Sequence, residues 1–434
     1  MTWPNLPTFD CPLTDDGLEH SRRKLHEAAF ALTSSIDFSS SSVVRLPCLT
    51  RDETLGYRCS CSFQLLSDPF RWAMRNNFAP VALNTDRFPI ALGRIQEAMA
   101  QFVLILNDTN HDVEISTHLT GATFSSSWDE SDLNMTLHYG GPKVFSSING
   151  GTWTSSMKVI LNDLKITSII GRSKGVRTVV GRESTILTDV VTVTHPIHKS
   201  PISVKYEKPE GAFMHPNHST MLKALNWMLT TISSLSSSSK TKMNLLEMYC
   251  GFGAHTVVLS KASVFDRVVA IEMDKRLVEY AEKNILLNDM QGRAFVFKDD
   301  AKNVARQGVA KYFAKKLENP IDFDVLLVDP PRSGLDKSVC SLGEWSGAKR
   351  SEAKRASRAI YQTNTSIHRS LAARFSLACQ GKFKYVIYVS CGKEALARDL
   401  TLLKNSFIVR DMCVTDLFPR TTSVETLVCL ERRK

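Results

Sequence analysis

The chain has 434 residues, 43% of them hydrophobic, which suffices for two or three ordinary cores, and a formal charge of +10. Its longest apolar runs, such as Phe102 to Leu106 and Val325 to Val328, are far shorter than the roughly 20 residues that cross a bilayer. No secretory pattern opens the chain, so an intracellular protein without a membrane span is expected. The positive balance favours a polyanionic partner through counterion release. The ten cysteines form no CxxC pair, so neither a metal site nor an iron–sulfur cluster is expected.

Residues 1–205 read as an α+β domain. Gly56 to Phe63, Leu133 to Tyr139 and Leu164 to Ile170 alternate as antiparallel strands do, and Ile90 to Leu104 has helical spacing. Cys59 and Cys61 fall on one face of a strand, which is read as structural. Ser39 to Ser42 and Ser233 to Ser239 read as flexible insertions.

Residues 206–434 read as an α/β domain of the Rossmann-like, doubly wound kind. Leu245 to Tyr249, Arg267 to Ile271, Ala294 to Phe297, Phe323 to Val328 and Tyr385 to Val389 alternate with helical segments. A Ser, Lys and Arg-rich stretch at about 337–370 interrupts the rhythm as a basic insertion. Ligands of such sheets sit outside the carboxyl ends of the strands.

The first strand runs into Tyr249-Cys250-Gly251-Phe252-Gly253, whose glycines permit a tight turn and close approach of a ligand. Glu272 directly follows the second strand, about twenty residues beyond Gly251, a spacing at which a carboxylate meets the two hydroxyls of a ribose. Position 256 is Thr where dinucleotide folds want a third glycine, which favours S-adenosylmethionine over a nicotinamide. Asp299 and Asp300, after the third strand, are candidates for an adenine amino group.

Asp329-Pro330-Pro331-Arg332 follows the fourth strand, and the prolines fix the loop so that Asp329 faces cofactor and base. The fourth place holds Arg332, not the aromatic residue of amino-group methyltransferases. Cys391 ends the fifth strand as a candidate nucleophile. Carbon 5 of uracil is unreactive in the intact ring, and a thiolate on carbon 6 would activate it. Glu425 is the candidate base that then removes the carbon 5 proton.

These residues, in this order, resemble the tRNA (uracil-5-)-methyltransferase family over most of the chain. The resemblance implies methylation of the T-loop uridine 54 of tRNA, with Tyr249, Glu272 and Asp329 on cofactor contacts, Cys391 as nucleophile and Glu425 as base. His215 stands where the family has a cofactor-binding Gln. Gly56 to Phe63, Arg87 to Pro89 and Ile170 to Lys174 resemble the tRNA-acting branch, so Arg58 and Gly171 to Lys174 would help grip the T-arm. No obligate protein partner is implied. The chain departs from the family pattern at Gly392 and Lys393 beside Cys391, at Ser423 near Glu425 and at Ala254. Lys393 is read as a cation able to lower the thiol pKa. Three alternatives stay open: an RNA-binding or tRNA-folding chaperone with little or no catalysis, methylation of another RNA, and a cytosine-5 enzyme, which would commonly carry an extra cysteine after the fourth strand.

Overall fold

The computed structural model describes residues 17–33, 38–46, 49, 51–75, 80–83, 87–141, 152–213, 215–236, 242–317, 319, 321–336, 339–340 and 383–433. The basic insertion at about 337–370 lies almost wholly outside them.

After α1 (Leu18–Thr33) and β1 (Phe38–Arg45), the chain builds its first module. This module contains β2 (Ser60–Leu66), β3 (Arg71–Arg75), β4 (Pro80–Ala82), α2 (Gly93–Asn107), α3 (Val113–Ser116), β5 (Leu119–Ser126), β6 (Leu133–Tyr139), α4 (Thr152–Asp163), β7 (Ser168–Ser173) and β8 (Val176–Gly181). Its seven strands lie in the order β4-β3-β2-β5-β6-β7-β8. One face buries Phe63, Trp72, Phe124, Met135 and Ile169 against Met99 and Phe102 of α2. Burial of each such side chain contributes about 1.5–3 kcal/mol. Cys59 and Cys61 lie in this core as free, buried thiols, as the alternation implies.

β9 (Leu187–Thr194) and β10 (Pro201–Lys208) form an antiparallel pair, followed by α5 (His218–Ser236). The second module then runs β11 (Met243–Met248), α6 (Ala254–Lys261), β12 (Phe265–Glu272), α7 (Lys275–Leu287), β13 (Ala294–Lys298), α8 (Ala301–Gln307), α9 (Val309–Phe313), β14 (Val325–Val328), β15 (Tyr385–Ser390), α10 (Lys393–Leu403), β16 (Phe407–Thr415) and β17 (Glu425–Arg432). Its eight-stranded sheet has the order β1-β16-β17-β15-β14-β11-β12-β13. Every neighbouring pair is parallel except the two that β17 makes. Helices cover both faces, so the central strands are apolar throughout, as β14 (Val325-Leu326-Leu327-Val328) illustrates.

Two expectations from the sequence are corrected. The boundary at 205 falls inside β10, whose Val204 and Tyr206 pack in the second module's core with Val191, Val193 and Leu259. At the other end, Leu25, Ala28 and Leu32 of α1 pack with Met412, Val414 and Leu430, and β1 extends the second sheet beside β16. Ser39 to Ser42 fall within β1, at the register irregularity between Phe38 and Val43, and Ser233 to Ser236 form the last turn of α5 rather than an insertion; Ser237 to Ser239 lie outside the described residues.

α1 also reaches the turn between β16 and β17. Lys24 Nζ donates to Asp416 Oδ1 at 2.6 Å and to the carbonyls of Phe418, Thr421 and Ser423 at 3.0, 2.7 and 3.0 Å. Both charges are buried, with 8% and 0% exposure. Removing one partner of such a pair typically costs about 3–5 kcal/mol, because the other charge is left buried alone. Tyr57 Oη of the first module donates to Pro419 O at 3.0 Å, so both modules hold this turn.

Candidate active site

The parallel strands β11, β12, β14 and β15 all deliver their carboxyl ends to one edge of the sheet. β17 runs the other way, so its beginning lies at that same edge. Ser390 pairs with Thr426 and Thr415 with Glu425, which sets Glu425 beside the strand end that carries Cys391.

The chain leaves β11 through a left-handed turn. Tyr249 has φ 67°, Gly251 57° and Gly253 88°. A non-glycine residue in that region is uncommon and marks a turn the fold needs. A side-chain carbon at Gly251 would meet nothing within 4 Å, so the turn faces open space. At Gly253 it would lie 3.3 Å from Ala281 Cβ, so this glycine serves the close packing of α6 on α7. The Glu272 carboxylate accepts from Gly251 N–H at 3.0 Å and from the N–H groups of Met273 and Asp274 at 2.8 Å each. Three backbone donors thus orient it at the rim of the turn. Asp299 accepts from Tyr312 Oη at 2.9 Å and Asp300 caps α8 through Lys302 N–H.

Sequence reasoning missed the floor of the site. Glu247, 1% exposed, accepts from Thr256 Oγ1 at 2.6 Å, and its other oxygen lies 3.6 Å from His255 Nδ1. His215 Nε2 lies 4.0 Å from Asp329 Oδ2. One ligand atom each from His215, His255 and Asp329 falls within 4.8 Å of the others. Burial, reinforced by His255, pushes the His215 imidazole down to about 3, so it is neutral at pH 7. Burial opposes charge on His255 as well, but Glu247 and Asp329 outweigh it and raise that imidazole. Burial pushes Asp329 up to about 6; His255 opposes the shift and Glu247 adds to it.

The loop after β14 is clamped from below. Asp399, fully buried on α10, accepts from Leu335 N–H and Tyr388 Oη at 2.7 Å each, and Arg398 Nη2 donates to Ser333 O at 2.9 Å. A side-chain carbon at Gly392 would lie 2.7 Å from Arg332 O. The glycine therefore lets the Cys391 turn sit against the Asp329 loop more closely than a larger residue would.

Burial raises the Cys391 thiol, and Glu425 raises it further; Arg332 pulls it down by charge and hydrogen bonding. Glu425 is held well above the carboxylate range by burial and by Asp329, with Arg332 again opposing. Arg332 is thus the cation that favours the ionised form of both groups. Lys393, read from the sequence as that cation, turns its ammonium to Glu394 at 3.9 Å and is largely exposed. Alkylation of Cys391 in the free protein should therefore be slow at pH 7 and accelerate into the alkaline range. Arg332→Gln should shift that profile to higher pH, read by mass spectrometry of the labelled peptide. An unshifted profile would remove Arg332 from this role.

In the first module, Arg58 Nε donates to Ser60 O at 2.9 Å. Arg172 and Arg177 both pair with Glu210, at 2.9 and 3.0 Å. No helix among the described residues is long and apolar enough to cross a membrane.

Residues 45–345 match the family model described as tRNA (Uracil-5-)-methyltransferase. A tRNA/tmRNA (uracil-C(5))-methyltransferase from a Nitratiruptor species is 26% identical over 97% of each chain. One of the same description from Pseudomonas entomophila is 27% identical over 81% of each. Among solved structures, the Pyrococcus abyssi tRNA (uracil-54, C5)-methyltransferase in complex with S-adenosyl-L-homocysteine superposes with a TM-score of 0.56 at 17% identity, covering 95% of this chain and 82% of that one. That likeness supports a methyltransferase fold of the Rossmann-like kind.

Proposed function

Given that the chain belongs to the tRNA (uracil-5-)-methyltransferase family, we propose that it methylates carbon 5 of the T-loop uridine 54 of tRNA with S-adenosylmethionine as donor. The observation that supports this reading most is the meeting of Cys391, Arg332, Asp329 and Glu425 at one sheet edge, beside the open glycine turn.

The pocket's residues suit the donor. Glu272, oriented by three N–H groups, would accept from ribose hydroxyls. The Tyr249 to Gly253 turn leaves room for the ligand, and His215 keeps a buried Nδ1 without a hydrogen-bond partner. Asp329 and His215 would take the polar end. When bound, S-adenosylmethionine supplies an electrophilic methyl group on a sulfonium sulfur.

In the proposed mechanism the target uridine leaves its stack to reach the sheet edge. The Cys391 thiolate, favoured by Arg332, adds to carbon 6 and breaks the ring's carbon–carbon double bond. The electron pair moves toward carbon 5, which becomes the nucleophile for the methyl group. Glu425, as carboxylate, then removes the proton left on carbon 5; the double bond re-forms and the thiolate leaves. Arg172 and Arg177 would exchange Glu210 for a phosphate of the T-arm, because a guanidinium binds either anion.

The direct test is transfer of radiolabelled methyl from S-adenosylmethionine to unmodified tRNA and to the same tRNA with cytidine at position 54. Label on the first alone supports the assignment. Tight tRNA binding without any transfer would replace it with the RNA-chaperone reading, and label on both would move the target elsewhere.

A further inference from the structure

We propose that His215, His255 and Asp329 form a binding site for one divalent transition-metal ion of the zinc class, and that this ion and the methyl donor exclude one another. The second half of this statement rests on the donor site proposed above; the first does not.

Two imidazole nitrogens and one carboxylate oxygen make a donor set of intermediate softness, suited to Zn2+, Co2+ or Ni2+ rather than to Mg2+ or Ca2+. The three donor atoms already lie within 4.8 Å of one another. A tetrahedral ion with bonds of roughly 2.0–2.1 Å wants its ligands about 3.4 Å apart, so side-chain rotations that close the gaps by at most about 1.4 Å complete the set. His215 Nε2 and Asp329 Oδ2, at 4.0 Å, are closer to that than the limit requires.

Support behind the ligands is also present. His255 Nδ1 faces Glu247 at 3.6 Å, which leaves Nε2 as the ligating nitrogen. Glu247 is itself fixed by Thr256 at 2.6 Å. A carboxylate behind a histidine is the arrangement that orients metal-bound imidazoles and raises their basicity. His215 and His255 are mostly buried, at 12% and 9% exposure, and Asp329 is 24% exposed, so an ion would be shielded yet reachable through an open fourth position. Cysteine spacing carried no sign of this site, because its ligands come from a loop, a helix and a strand end that only the fold unites. Asp329 and His215 are also the groups assigned to the donor's polar end, and neither can serve both at once.

The test uses the full chain, stripped with a chelator and dialysed, then titrated with Co2+ while visible absorption is followed. One equivalent should give ligand-field bands that Zn2+ abolishes. His215→Gln and His255→Phe should each weaken binding by more than tenfold, and Glu247→Gln, which keeps all three ligands, by about tenfold. Far-ultraviolet circular dichroism checks that each variant is folded; if one is not, the other two decide. In equilibrium dialysis, Zn2+ should raise the apparent Kd of labelled S-adenosylmethionine for the parent. Absence of Co2+ bands, or bands that survive the folded histidine variants, would overturn the site. Donor binding indifferent to saturating Zn2+ would overturn the exclusion. Failure of the metal-free protein to bind the donor would instead count against the proposed function and leave the Co2+ result standing.

Discussion

Cys391→Ala is expected to lower methyl transfer to tRNA by at least about 10³-fold, roughly 4 kcal/mol of barrier. Affinity for tRNA should change little, because the side chain is small and half-buried at the edge of the sheet. The size of the effect follows from the chemistry: without addition at carbon 6, carbon 5 lacks the electron density to attack a methyl group. The parent should also form a denaturation-resistant adduct with RNA carrying 5-fluorouridine at the target, since fluorine at carbon 5 cannot leave as a proton does. Residual transfer within about tenfold of the parent would rule out covalent catalysis by this thiol.

Glu425→Gln should produce a different failure. The thiol still adds and the methyl still moves, but the carbon 5 proton has no acceptor, so protein and ordinary uridine RNA should accumulate as a covalent complex. Turnover should fall by about 10²–10⁴-fold, the usual contribution of a positioned base. The pH dependence has a definite sign. Burial and Asp329 push Glu425 up, and burial and Glu425 push the Cys391 thiol up. Both must ionise to act, so the parent's rate should rise with pH and be lost on acidification. A variant that turns over normally, or that fails without trapping RNA, would move the base elsewhere; trapped label is seen by denaturing gel.

The sequence was legible where local pattern and tertiary role agree. Leu133 to Tyr139 alternates and is β6, and the five apolar runs after Asn244 are the parallel strands that carry the glycine turn, Glu272, Asp329 and Cys391. It was not legible where distant pairing overrides local preference. Ser39 to Ser42 read as a loop, yet they lie within β1, in the irregular stretch between its paired positions Phe38 and Val43. Glu247 and His255 gave no signal because their meaning depends on His215, a loop residue that folding brings beside them. Proximity in the chain misled in the case of Lys393, two residues from the thiol, whereas Arg332, far away in sequence, lies against it. Cys391 and Glu425, already paired as candidates from the sequence, lie near one another because antiparallel β17 puts its first residue at the strand ends.

The placement of α1 and β1 sets a timetable for synthesis. Phe38 of β1 has its register partner at Val409, roughly 370 residues later in the chain. At about 5–20 residues per second, a ribosome needs on the order of 20–70 s to supply that partner. During this interval the apolar face of α1, with Leu25, Ala28 and Leu32, has no sheet to cover it and is a natural client for a chaperone. Lys24 likewise waits for Asp416 and the carbonyls around it. A nascent chain that has already completed its first module thus still lacks the turn that precedes Glu425. The first module is therefore complete well before the second, whose sheet closes late and all at once.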